Sequence, residues 1–303
     1  VNHESYILRP RGMMDKCGLG CPVLNAFLSG GIPCGTVTEL VGECGSGKTL
    51  LSLQLLLSVQ APDMRGGLQG RALCIYTEGR FPSHRLFELA TFACGHADGL
   101  TTTCKGQANK VLVKEVQTID ELLHLLSNEI LQLLRHRFLT PVKLIVIDSV
   151  AALFRADFDN NKTDLTKRAS FYFRLSAKLK QYAQQFNIAI VVINQVTDCF
   201  NEVQSNQEYV EHLMTSGRFV RPALGLSWSH CVNTRLFLSR IPRQDCSMLH
   251  KFQGHVRHGS EVLEHCNSGG GEGLDGRRIQ VVFAPHLPQD SCAFTVTRRG
   301  MQG

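Results

Sequence analysis

The chain has 303 residues, 43% hydrophobic and 19% charged, an ordinary globular composition that excludes wholesale disorder and collagen-like structure. Lys and Arg (32) exceed Asp and Glu (26), giving a formal charge of +6 with His neutral, a mild excess that permits a nucleic-acid partner without arguing for one. No apolar run reaches the about 18 residues of a membrane-spanning helix, so no membrane partner is expected, and the 12 scattered cysteines read as reduced thiols, not as a disulfide framework.

Residues 1–18 read as an arm or linker, and 19–303 as one α/β domain. Leu19, Val23, Leu24, Phe27 and Leu28 give a short amphipathic helix within 19–30, stopped by Gly30-Gly31. Residues 36–41 read as a strand, with Gly42 opening a turn. An apolar helix follows over 48–60, ended near Pro62. A strand at 73–77, a helix at 83–93 and a polar loop at 95–109 come next. Then follow a short strand at 111–113 and a leucine-rich helix over 118–136. Val142–Ile147 and Ile188–Ile193 are continuous apolar runs of strand length, the pattern of buried parallel strands, with a helix over 167–186 between them. Later strands are expected at 232–239, 279–284 and 292–297. The alternation of strands and helices predicts a doubly wound, mostly parallel sheet with an antiparallel C-terminal edge. Residues 242–278 break the order with Gly269-Gly270-Gly271 and no apolar period, and read as a flexible surface insertion. Its Cys246, His250, His255, His258, His265 and Cys266 match no common tetrahedral zinc spacing, so no metal is expected there.

Gly42-Glu43-Cys44-Gly45-Ser46-Gly47-Lys48-Thr49 matches G-x-x-x-x-G-K-[ST] between a predicted strand and a predicted helix, the context that a phosphate-binding P-loop requires. Glycines let successive backbone N–H groups face the phosphates, and the helix N-terminus adds positive potential. In that motif Lys48 reaches the β- and γ-phosphates of ATP and the Thr49 hydroxyl ligates Mg²⁺. Asp148 ends the apolar strand Leu144–Ile147 and is placed to meet the same Mg²⁺, directly or through water. Glu78, just after the second strand, would emerge on the same sheet edge and is the candidate general base or water-positioning group. Gln195, after the strand at 188–193, is the candidate γ-phosphate sensor.

The segments Leu40–Thr49, Ile75–Leu86, Ile145–Arg155, Ile190–Val196 and Ala284-Pro285-His286-Leu287-Pro288 together resemble the ATPase core of the RecA-like recombinases, in their eukaryotic branch of recombinase paralogues. The likeness runs from about Leu19 to Gly300. The P-loop alone identifies a superfamily. Asp148–Arg155, Asn194–Thr197 and Ala223–Trp228 are far more specific. The resemblance implies a RecA-like P-loop ATPase core that holds ATP and Mg²⁺ through Gly42 to Thr49, Leu50 and Asp148. Glu78 takes the water-activating role, Gln195 couples the γ-phosphate to the DNA loops, and Arg85 lies against adenine. Residues 285–288 resemble a cap over a neighbouring subunit's nucleotide.

It further implies a nuclear protein, with some in the cytoplasm. Its partners would be the C-type recombinase paralogue in a heterodimer, the main strand-exchange recombinase, and single-stranded or branched DNA. The work implied is homologous recombination and double-strand-break repair, with weak DNA-stimulated ATPase activity. A filament-forming recombinase and a structural adaptor are the alternatives. DNA contacts are expected from a first loop running from Arg155 to Arg168, through Arg155, Lys167 and Arg168, and a second over 198–221, through Arg218 and Arg221. Asp157, Asp159, Asp164, Glu202, Glu208 and Glu211 in the same loops oppose a strong phosphate contact. Tyr76 stands where recombinases carry an acid, which implies slow basal hydrolysis.

Overall fold

Two apolar faces on each central strand require two covering layers, and the chain supplies both. The computed structural model describes residues 14–62, 66–93, 106, 108–136, 140–156, 162–199, 213–241 and 276–303. Strands β1 (Lys16–Cys17) and β2 (Ile32–Pro33) pair antiparallel around helix α1 (Pro22–Phe27). Lys16 to Gly18, expected in an arm, are therefore tied to the body, and Cys17 and Leu19 are fully buried.

Strand β3 (Val37–Gly42) leads into α2 (Lys48–Ser58), and β4 (Arg71–Tyr76) into α3 (Ser83–Ala93). After β5 (Val111–Glu115), Thr118 accepts a hydrogen bond from Glu121 N at 3.2 Å and caps α4 (Ile119–Leu125). That helix passes through a π turn (Leu126–Ile130) into α5 (Leu131–Arg135). The buried Tyr182 hydroxyl donates to Leu126 O at 2.6 Å where the wider turn begins. Strand β6 (Val142–Asp148) is followed by α6 (Val150–Ala156) and α7 (Lys162–Phe186). Strand β7 (Ala189–Asn194) comes next. Then follow β8 (Val196–Asp198), β9 (Leu213–Thr215), β10 (Arg218–Pro222), α8 (Gly225–Ser229) and β11 (Thr234–Arg240). Strands β12 (Gly276–Phe283), β13 (Ser291–Thr297) and β14 (Gly300–Gln302) close the chain.

The main sheet has nine strands in the order β14-β13-β12-β11-β3-β7-β6-β4-β5. From β11 to β5 every neighbouring pair is parallel, and β11 to β14 run antiparallel. This is the α/β, mostly parallel sheet with an antiparallel edge that the strand pattern predicts, in the RecA-like form that the resemblance implies. Alternate residues of each strand face opposite sides. Leu40, Cys74, Val146, Val191 and Leu236 pack under α1, α2 and α3, while Ile75, Ile145, Ile147, Ile190 and Val192 pack under α4, α6, α7 and α8. The buried leucines of α2 (Leu51, Leu53, Leu55, Leu56, Leu57) each contribute about 1.5–3 kcal/mol by burial.

Three expectations are corrected. The first loop was to run from Arg155 to Arg168. Instead α6 carries Arg155 in helix and α7 begins at Lys162, so Lys167 and Arg168 lie on its first turns, with Asp164 in the first turn complementing the helix dipole. The second loop, 198–221, contains a small antiparallel sheet, β8-β10-β9. Ser216 and Gly217 turn its hairpin with φ of 49° and 74°, a two-residue turn with both residues in the left-handed region. The insertion at 242–278 ends earlier, because Gly276 to Arg278 already belong to β12; its remainder lies outside the described residues.

Candidate functional site

Parallel strands present their C-terminal ends at one edge, so the segments after β3, β4, β6 and β7 meet there. They line a cleft of about 920 Å³, whose walls include Gly42 to Gly45, Gly47 to Leu50, Glu78, Arg85, Asp148 and Gln195. The backbone explains the P-loop glycines. A Cβ on Gly42 would stand 2.2 Å from Leu238 O and 2.7 Å from Ser46 Oγ, and Gly47 has φ 105° at the start of α2.

Lys48 is buried, and its ammonium donates to Gly42 O and Glu43 O, both at 2.7 Å, which folds the loop around the amine. Burial lowers its pKa from the usual lysine value, against the opposing pull of Asp148 and the other acids nearby. Thr49 Oγ1 donates to Asp148 Oδ2 at 2.9 Å. Burial raises the Asp148 carboxyl to about 6, although the Thr49 bond and Lys48 favour its ionised form. A hydroxyl and one carboxylate form an all-oxygen donor pair, which fits Mg²⁺, an ion held by one or two protein oxygens plus phosphates and water. Ser46 Oγ is buried with no hydrogen-bond partner among the described residues, a polar atom of the kind a phosphate cradle uses.

Across the cleft, Gln195 Nε2 donates to Glu78 Oε1 at 2.7 Å, and Ser149 Oγ donates to the same oxygen at 3.3 Å. Thr77 Oγ1 bonds both Ser149 N (2.9 Å) and Ser149 O (2.8 Å), locking the ends of β4 and β6 together. Behind Gln195, Asn194 Oδ1 accepts from Gln195 N at 2.8 Å, while its amide donates to the buried Glu39 at 2.7 Å. Arg85 lines the cleft and ties α3 to the β13–β14 turn through Thr297 O (2.9 Å) and Arg298 O (3.0 Å), while Glu88 of the same helix holds its guanidinium at 2.7 Å. The 285–288 segment is not among the residues that line this cleft.

The expected DNA contacts are dispersed. Lys167 is exposed, 3.7 Å from Asp164, and the Arg168 guanidinium lies over Tyr172 at 5.8 Å from the ring centroid. Arg221 is exposed on β10. The side chain of Arg155 is outside the described residues. Arg218 instead lines the cleft: it bonds Glu43 Oε2 at 2.9 Å and both oxygens of Asp198 at 2.9 and 3.0 Å. Thr215 Oγ1 (2.8 Å) and Ser216 Oγ also donate to Glu43. Burial works against the ionised Glu43, and the bonds from Ser216, Thr215 and Arg218 outweigh it, so its pKa falls below the usual glutamate value. Arg277 of β12 is a further wall residue that sequence reading missed, because it was assigned to the insertion. The Ser-Gly turn at 216–217 was the available signal for the hairpin.

Residues 11–248 match the family model described as Rad51. The chain belongs to the Rad51 family. It is 40% identical over 302 residues to a DNA repair protein XRCC3 homolog of Arabidopsis thaliana, covering 97% of this chain and 95% of that relative. To the DNA repair protein XRCC3 of Bos taurus it is 31% identical, over 98% of this chain and 79% of the relative. A DNA repair protein RAD51 homolog 2 of Homo sapiens is 32% identical over 72% of this chain and 58% of its own length. Within the Rad51 family, then, the chain resembles DNA repair relatives along nearly its whole length. No helix among the described residues is long and apolar enough to cross a membrane.

Proposed function

We propose that this Rad51-family chain is an ATP-binding recombinase paralogue. In a heterodimer with the C-type paralogue it would assist the main strand-exchange recombinase in nuclear homologous recombination and double-strand-break repair, with weak DNA-stimulated ATPase activity and some of the protein in the cytoplasm. The observation that supports this most is the convergence of Lys48, the Thr49–Asp148 pair and the Glu78–Gln195 bond in one cleft. The P-loop amides and Lys48 bind the phosphates, and Lys48 exchanges its two backbone carbonyls for phosphate oxygens. Thr49 and Asp148 would hold Mg²⁺, which neutralises charge developing on the phosphates. Glu78 orients the attacking water and accepts its proton. Gln195, bonded to Glu78 and followed directly by β8, links that event to the β8-β10-β9 sheet. Single-stranded or branched DNA would meet Arg155, Lys167, Arg168 and Arg221 through phosphate contacts that read no sequence.

The test is nucleotide titration and steady-state turnover. Lys48→Ala removes the buried cation and should weaken ATP binding by at least about tenfold. Undiminished binding removes the P-loop assignment. Glu78→Gln should keep binding but lower turnover by about 10²-fold or more, and an unchanged rate removes Glu78 from the catalytic group.

A further inference from the structure

The hydrolysis outlined above uses one flank of the cleft. Glu78 and Asp148 stand on the β4 and β6 side of β3, and the opposite flank, toward β11 and β12, carries Arg218 and Arg277 beside Glu43 and Asp198. Two guanidiniums reach the P-loop from there. Arg277 Nε donates to Gly45 O at 3.1 Å. Arg218 Nη2 donates to Glu43 Oε2 at 2.9 Å, and its Nη1 bonds Asp198. The small sheet that carries Arg218 is fixed to the main one, since Leu213 and Val220 pack with Val41, Phe237 and Val282. Both arginines are therefore delivered by rigid strands to alternate residues of one loop, and both line the same cleft as Lys48 and Thr49.

We propose that Arg277 and Arg218 are specificity residues of this cleft, which recognise the terminal phosphate of a nucleoside triphosphate and set its preference over the diphosphate. The inference rests on the reading of the cleft as a nucleotide site. Three points carry it. A planar guanidinium fork matches phosphate oxygens in a bidentate way that an ammonium does not. The P-loop amides and Lys48 serve any nucleotide with a β-phosphate, so the added charge of a triphosphate needs further cations. Arg218 is half-exposed, so exchanging Glu43 and Asp198 for a phosphate costs it little desolvation.

The experiment measures the affinities of the full chain for a non-hydrolysable triphosphate and for ADP, each with Mg²⁺, in the wild type, Arg277→Gln and Arg218→Gln. Each substitution should lower triphosphate affinity by about tenfold or more and diphosphate affinity by less than about threefold. The ratio of the two affinities is the readout, because an arginine that only staples the P-loop weakens both nucleotides alike. Equal losses, or none, overturn the proposal. Should Arg277→Gln fail to fold, Arg277→Lys keeps the charge without the fork and should still narrow the ratio; an unnarrowed ratio there has the same overturning force. A wild type that binds neither nucleotide, or a Lys48→Ala variant that binds both normally, instead sinks the underlying nucleotide reading, whatever the arginines do.

Discussion

Glu43 occupies a P-loop position where the motif accepts any residue, yet it is buried and takes hydrogen bonds from Thr215, Ser216 and Arg218. Those bonds hold its folded pKa below the ordinary value of 4.5, so the unfolded chain binds more protons in the window beneath 4.5. Its stabilisation is thus complete above that window and is lost as pH falls through it. Glu43→Gln keeps the shape and removes the charge. It should cost on the order of 1–2 kcal/mol at neutral pH. Urea unfolding at pH 7 and at pH 4 checks this: the gap between wild type and variant should shrink at the lower pH. A gap that is constant across the two would show that the carboxylate is not held ionised by this cluster.

At the scale of elements, the strand that leads into the P-loop is anchored from behind by a buried ion pair. Glu39 of β3 and Arg235 of β11 are register partners, with side chains 0% and 7% exposed. Glu39 also accepts from Asn194 at 2.7 Å and from the Trp228 indole at 3.0 Å, while the Arg235 guanidinium lies 5.1 Å from the centre of the Phe283 ring. Arg235→Met leaves a buried carboxylate without its cation and should cost about 3–5 kcal/mol. Adding Glu39→Leu should recover part of that loss, since two apolar groups carry no uncompensated charge. A thermal-denaturation double-mutant cycle reads the coupling, and strictly additive losses would exclude the pair as a unit.

This pair could not be read from sequence, because Glu39 and Arg235 lie nearly two hundred positions apart in a pattern that reads only as strand. The local elements were more legible. Continuous apolar runs marked β6 and β7, and the helix at 83–93 is bounded as its pattern indicates. The P-loop, Asp148, Glu78 and Gln195 could be assigned to one sheet edge because each stands at or just after the C-terminal end of a recognisable strand. Helix α6 was hidden: its seven residues are too few to show a helical period and no element was expected there before the loop at Arg155, whereas burial of Val150, Leu153 and Phe154 against β7 and α7 makes it a helix. Arg277 was hidden by the aperiodic stretch before it.

For the whole molecule, the charge of +6 is distributed in a way that bears on DNA binding. Of the basic side chains expected to meet DNA, Arg218 is engaged by Glu43 and Asp198, and Lys167 stands beside Asp164. A cation already facing a carboxylate releases few counterions when a phosphate arrives, because the local charge was near neutral beforehand. The chain alone should therefore bind single-stranded DNA weakly, with a log–log salt slope of about −2 or shallower, since each phosphate contact on a single strand adds only about −0.7. On the proposed reading a second paralogue supplies the remaining contacts, so a copurified complex with it should show a steeper slope and tighter binding. Fluorescence anisotropy across a salt series measures both, and sizing with and without ATP reports the assembly. Long nucleoprotein filaments formed by the chain alone, with a slope as steep as that of the complex, would favour a self-sufficient recombinase over a partner-dependent one.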